Sequence, residues 1–180
     1  AAPFGNARES RAARMYRAME LLRTWCGQKQ ILGCGVPVMP AFGLVDYCRV
    51  SCDVGLDWDD VWYMRLFHRE RVSTKHSLDN TICRRQLGGR AFGNDPDVFF
   101  LREDNLKLSR DEKFILATVN SLFGGLLLCS DDMSKYSPEA RALYARLLEN
   151  READDVQVDA DDGLSVSYTV GGIRGKLEID

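Results

Sequence analysis

The sequence predicts an α/β fold, half of a (β/α)8 barrel followed by the start of an antiparallel β domain. Three observations carry this expectation. Short apolar runs alternate with helical stretches over residues 1–150, the pattern of parallel strands covered on both faces. Polar clusters at 35–40, 51–53 and 130–132 stand just past three of these runs, and a barrel would gather them at one mouth. Residues 151–180 instead alternate polar and apolar side chains, as half-buried antiparallel strands do. A four-stranded open sheet is the alternative for the first part.

The elements follow in order. Residues 9–26 read as a helix whose apolar stripe is Met15, Ala18, Met19, Leu22 and Trp25, with Gly27 as its stop. Residues 31–34 form a first buried strand. Residues 35–40 hold two prolines, which remove ladder donors, so a loop leaves the strand there. Residues 44–50 are a second strand, ending in Ser51-Cys52-Asp53. A helix is expected over 58–67 from the stripe Val61, Trp62, Arg65, Leu66, and another from an N-cap at Ser77 through Leu87. Residues 98–101 are the third strand, preceded by Asn94-Asp95-Pro96-Asp97. Ser109-Arg110-Asp111-Glu112 matches a capping box and opens a helix to about Leu122. Residues 126–129 are the fourth strand, ending in Ser130-Asp131-Asp132. Ser137-Pro138 then supplies N-cap and N1 of a helix through Leu148. In the tail, Asp161-Asp162-Gly163 and Gly171-Gly172 are hairpin turns between strands.

Composition excludes several classes. With 45% apolar and 28% charged residues, the 180-residue chain can bury one sizeable core. A net charge of -3 gives no basic footprint, so no nucleic-acid partner is expected. No apolar run approaches the roughly 20 residues that cross a bilayer, so no membrane partner is expected either. Ala1-Ala2-Pro3-Phe4-Gly5 lacks a charged head and apolar stretch and reads as a loop already begun, as if cut from a longer chain; secretion therefore stays open. The six cysteines show no CxxC spacing and only His68 and His76 could join them, so no metal site is expected. They read mostly as reduced, buried thiols of a cytoplasmic protein.

The chemistry points to carboxylates. Asp53 directly follows a strand, with Arg49 four residues earlier. An arginine fork can hold vicinal hydroxyls while a carboxyl group moves a proton, which suits sugar chemistry. The plainer reading makes Asp53 a loop or cap residue. Asp95-Pro96-Asp97 is expected just before its strand, where an Asx-turn would explain it equally well, and Asp131-Asp132 could cap the next short helix. Trp58 and Trp62 could stack on a sugar or fill the core. Gly88-Gly89-Arg90 is not a phosphate loop, and no Ser-His-Asp arrangement suggests itself.

Taken together, Leu32-Gly33-Cys34-Gly35-Val36-Pro37, the segment from Gly43 to Val54, Asn94-Asp95-Pro96-Asp97 and the segment from Phe123 to Asp132 are similar to the bacterial α-galactosidases (melibiases) of glycoside hydrolase family 36 and to its relative, family 27. The four segments stand in the order of that family's fifth to eighth barrel strands. The resemblance implies that 1–150 is the C-terminal half of the catalytic (β/α)8 TIM barrel and 151–180 the start of a C-terminal β-sandwich. It implies a retaining hydrolase of terminal α-galactosides, in oligosaccharides or glycoconjugates, working without a cofactor. Residue by residue, Asp53 matches the acid/base and Arg49 the arginine that binds ring hydroxyls. Asp97 contributes to the galactose pocket, and Gly35 and Val98 complete its substrate-binding set. Cys34 lines the pocket wall; it is no nucleophile, since no histidine is placed to activate it.

Two departures matter. Family 27 usually has Glu where this chain has Gly35, which leaves room near the sugar and opens the preference beyond galactose. The family's nucleophile lies in a segment resembling Lys-x-Asp-Phe-Leu-Tyr, and Ala1-Ala2-Pro3 looks like the loop just beyond it. A retaining mechanism needs two carboxylates about 5–5.5 Å apart, so the isolated chain is expected to be inactive. Exposed sheet edges lead us to expect self-association into a homo-oligomer. Competing readings are an α-N-acetylgalactosaminidase or galactosyl transferase of the same clan, and a non-catalytic carbohydrate-binding or structural fragment.

Overall fold

Ser10 opens the first helix, α1 (Arg11–Cys26), by accepting a hydrogen bond from the Ala13 N–H, and Gly27 at φ 55 stops it. The computed structural model describes residues 9–59, 62–63, 66, 72–161 and 163–179. Half of the residues of the helix expected over 58–67 therefore lie outside the described residues, as do Ala1 to Pro3 and His68.

Of the stripe expected on α1, only Met19 is buried, and Trp25 is 78% exposed. Polar anchoring holds the helix instead. The Arg23 guanidinium donates to the carbonyl oxygens of Leu44 (2.9 Å) and Lys29 (3.1 Å) and to Asp46 Oδ2 (2.6 Å). Asp46 also accepts from the Ile31 N–H at 2.7 Å, tying α1 to the strands behind it.

Those strands are β1 (Leu32–Gly33), β2 (Tyr47–Arg49) and β3 (Gly93–Asp95), parallel and in the order β1-β2-β3. Within the stretch expected to be a loop, Val38–Ala41 forms a short helix, α2. Pro40 is tolerated because first-turn N–H groups have no helical partner to lose. The third strand position also differs from expectation. It begins at Gly93, breaks at Pro96-Asp97, and resumes as β4 (Val98–Phe99), which pairs in parallel with β5 (Leu128–Cys129). Pro96 has no N–H to give and Asp97 sits at φ 76, so the ladder cannot run through them. Asp95 thus ends a strand where the sequence reading had it precede one.

Helix α3 (Thr74–Cys83) starts a turn earlier than expected. Its N-cap is Ser73, whose Oγ accepts from the His76 N–H at 3.1 Å, while Ser77 is fully buried inside the helix and donates to the Pro96 carbonyl at 3.4 Å. Helix α4 (Arg110–Phe123) opens with the predicted capping box, Glu112 N–H to Ser109 Oγ (3.2 Å) and Ser109 N–H to Glu112 Oε2 (2.6 Å). Helix α5 (Pro138–Glu149) has Ser137 as N-cap and Pro138 at its first position. Asp132 caps the short 3-10 turn Met133–Lys135 through the Ser134 N–H.

The tail is a three-stranded antiparallel sheet, β6 (Asp154–Asp159), β7 (Leu164–Val170) and β8 (Ile173–Ile179). Its Val166, Tyr168, Leu177 and Ile179 belong to the same hydrophobic cluster as Phe99, Leu116 and Leu147. A smaller cluster of Met19, Ile31, Ala41, Val45, Cys48, Val50 and Phe92 lies around β1 and β2. The fold is therefore mixed α/β with parallel strands and a small antiparallel sheet. The six cysteines are unpaired, but only Cys48 is buried where most were expected to be; Cys26, Cys52 and Cys129 are half-buried and Cys34 and Cys83 exposed. Both stand at element ends, Cys34 just past β1 and Cys83 as the last residue of α3.

Candidate active site

Parallel pairing sets the register that builds the site. Arg49 ends β2 and lies opposite Asp95, which ends β3. The Arg49 side chain is 14% exposed and meets three carboxylates: Nε donates to Asp95 Oδ2 (2.9 Å), Nη1 donates to Asp53 Oδ1 (3.1 Å), and Nη2 lies 2.8 Å from Asp97 Oδ1.

The three carboxylates differ in setting. Asp95 is fully buried; its Oδ1 accepts the Asp97 N–H at 2.9 Å, the Asx-turn read from the sequence. Asp97 is nearly buried, and its Oδ2 accepts the Val54 N–H at 2.7 Å. Asn120 Nδ2 donates to the Asp97 carbonyl (3.1 Å) and helps hold the residue at its positive φ. Asp53 is 76% exposed and stands in the loop after β2. It is held from two directions, by Arg49 at its carboxylate and by the Asp97 bond to the next peptide. That loop is fastened further by Ser51 Oγ donating to the Pro96 carbonyl (3.0 Å) and by Thr74 Oγ1 at the carbonyls of Gly55 and Asp57.

Electrostatics follow from this packing. Burial disfavours the Arg49 charge, but the Asp95 hydrogen bond and the charges of Asp95 and Asp97 outweigh it and hold the guanidinium above its ordinary value. Burial pushes the Asp97 carboxyl up, against the Val54 N–H and Arg49, which favour its ionised form. Burial likewise pushes the Cys48 and Cys52 thiols up, which keeps them protonated and poor nucleophiles. Three carboxyl groups thus share one guanidinium.

The other predicted site residues group around this cluster unevenly. Cys34 lies just past β1 and is exposed. Gly35 follows at φ 71 with open space where a Cβ would stand. Val98 begins β4, half-buried and packed against the main core. Trp58 also packs partly on the core, whereas Trp62 is 72% exposed and meets Tyr63 edge-to-face at 6.2 Å. Asp131 is a fully buried acceptor for the N–H groups of Leu101 and Arg102 and for Tyr136 Oη, a structural role away from Arg49. A cleft of about 630 Å³ between α4 and α5 is lined by Leu101, Lys113, Phe114 and Leu143 among others, and by none of the predicted site residues. The carboxylate cluster, open to solvent at Asp53, is the better candidate because it joins an exposed carboxylate to a buried charged support.

Asp95 is the residue the sequence reading missed. Arg49 and Asp95 carry opposite charges at the ends of neighbouring strands, but Gly93-Asn94-Asp95 has no apolar side chain to mark a buried strand.

No family model matches the chain. Among solved structures, it is similar to the α-galactosidase of Thermus thermophilus in complex with p-nitrophenyl α-D-galactopyranoside. The TM-score is 0.70 and the identity 28%, over 91% of this chain and 33% of that one. The same enzyme in complex with stachyose gives a TM-score of 0.68 at 29% identity, over 76% and 30% of the two chains. α-Galactosidase I of Mortierella vinacea shares the fold at a TM-score of 0.65 and 12% identity, over 92% of this chain and 47% of that one. The chain thus spans about a third of the bacterial enzyme's length and about half of the fungal one's. By fold and by sequence, it resembles the α-galactosidases of glycoside hydrolase families 36 and 27.

Proposed function

We propose that this chain carries the acid/base half of a retaining glycoside hydrolase for terminal α-galactosides. The observation that carries the proposal is Asp53, exposed in the loop that follows a parallel strand and tied through Arg49 to two buried carboxylates. Asp53 protonates the glycosidic oxygen as the bond breaks, then takes a proton from the water that releases the sugar. Retention needs a second carboxylate about 5–5.5 Å away as nucleophile. Asp95 and Asp97 are unsuited to that part, since both are buried and committed to Arg49 and to backbone N–H groups. The nucleophile is therefore assigned to chain outside the described residues.

The sugar pocket is assigned to Arg49, Asp97, Cys34, Gly35 and Val98, at the mouth of the C-terminal half of a (β/α)8 barrel. Residues 151–180 are read as the start of the following β domain. Asp53 and Asp97 already engage Arg49, so a bound sugar has fewer of its N–H donors to use than a free guanidinium would offer. The Thermus relative's complexes with an aryl galactoside and with stachyose support an α-galactoside substrate. The test is hydrolysis of nitrophenyl α-galactoside against its N-acetylamino counterpart by the protein that carries this chain. Preference for the galactoside is expected. Preference for the N-acetylamino sugar would overturn the galactoside reading in favour of one in which the space beside Gly35 takes the larger substituent.

A further inference from the structure

We propose that Asp95 is a positioning residue for this reaction, fixing Arg49 and through it the orientation of Asp53; the inference rests on the function proposed above. Asp95 never meets the open mouth, being fully buried, and it does not touch Asp53. Each of its oxygens has a separate task. Oδ2 takes the Arg49 Nε–H, which sets the plane of the guanidinium, and Oδ1 takes the Asp97 N–H, which holds the turn at φ 76. Arg49 then presents Nη1 to Asp53 and Nη2 to Asp97, while Asp97 holds the Val54 N–H beside Asp53. The acid/base thus hangs from a buried carboxylate by two routes, both of which start at Asp95. Arginine is suited to the relay because its fork is rigid and does not lose its charge.

Asp95→Asn separates the two tasks. The amide oxygen can still accept the Asp97 N–H, but an NH2 group now faces the Arg49 Nε–H, donor against donor. In the protein that carries this chain, the ratio of kcat/KM on methyl α-galactoside to that on nitrophenyl α-galactoside should fall by on the order of tenfold to a hundredfold, since a misplaced acid harms poor leaving groups most. Asp131→Asn is the matched control: an equally buried carboxylate that also pairs with an arginine, yet stands apart from the cluster. It should lower stability and leave the ratio unchanged. An unchanged ratio in Asp95→Asn would overturn the proposal. A second readout needs neither turnover nor the variant: the Arg49 Nε–H proton should be strongly protected from exchange in the wild-type protein, and free exchange would equally overturn it. If the wild-type protein hydrolyses neither sugar while that proton is protected, the proposed function fails and the Asp95–Arg49 support stands.

Discussion

Replacing Asp53 with alanine removes an exposed carboxylate and one of the three partners of Arg49. The stability cost is small. Asp53 is 76% exposed, and exposed ion pairs contribute about 0–1 kcal/mol, while Asp95 and Asp97 keep the guanidinium paired. The catalytic cost is large by comparison, because general acid/base catalysis contributes roughly 100- to 10,000-fold, or about 3–5 kcal/mol of barrier. The assay compares methyl and nitrophenyl α-galactosides at saturating and limiting substrate. Methyl galactoside, which leaves poorly without a proton, should lose nearly the full factor in kcat/KM. Nitrophenyl galactoside should lose far less in kcat/KM, and its slowed second step should respond to azide, which attacks without a general base. Equal losses on both substrates, accompanied by a lowered melting temperature, would refute the reasoning and make Asp53 a structural loop residue.

Other expectations concern the scaffold. Asp46 is held below its ordinary value of 3.8, first by the Arg23 hydrogen bond and then by the Ile31 N–H. Its native state therefore binds fewer protons, so its contribution to stability is present above 3.8 and is lost as the pH falls below it; melting curves between about pH 6 and about pH 3 should flatten in Asp46→Asn. Gly125→Ala would set a Cβ 2.8 Å from the Gly93 Cα and 3.1 Å from the Asn94 nitrogen, backbone that cannot swing aside. A loss of about 1–3 kcal/mol in denaturant unfolding is expected, and a neutral result would show that the loop after α4 can move away from β3 freely.

How legible the molecule was depended on whether each signal was local. Ser109 and Glu112, Ser137 and Pro138, and the tail hairpins were readable because capping and turn chemistry involve residues a few positions apart. Ser77 was mistaken for a cap because Ser73, a turn earlier, makes the same kind of bond, and only the Pro96 carbonyl shows that Ser77 belongs inside. The stripe on α1 has helical spacing, yet spacing cannot tell a covered face from an open one, and Met19 alone of that stripe is buried. Arg49 and Asp53 were visible as a pair four residues apart. That Asp95 and Asp97 complete their surroundings depends on register between β2 and β3, which no local pattern encodes.

The shared core has a consequence for how the chain unfolds. Val166, Tyr168, Leu177 and Ile179 sit in one apolar cluster with Leu116 and Leu147, so the composition change near residue 150 is not an energetic seam. Each buried apolar side chain of this size contributes about 1.5–3 kcal/mol. Withdrawing these four would therefore consume much of the roughly 5–15 kcal/mol by which a domain stays folded. Amide exchange in β7 should accordingly track that of α4 as a single cooperative opening, with the tail hairpins melting together with the helices they cover.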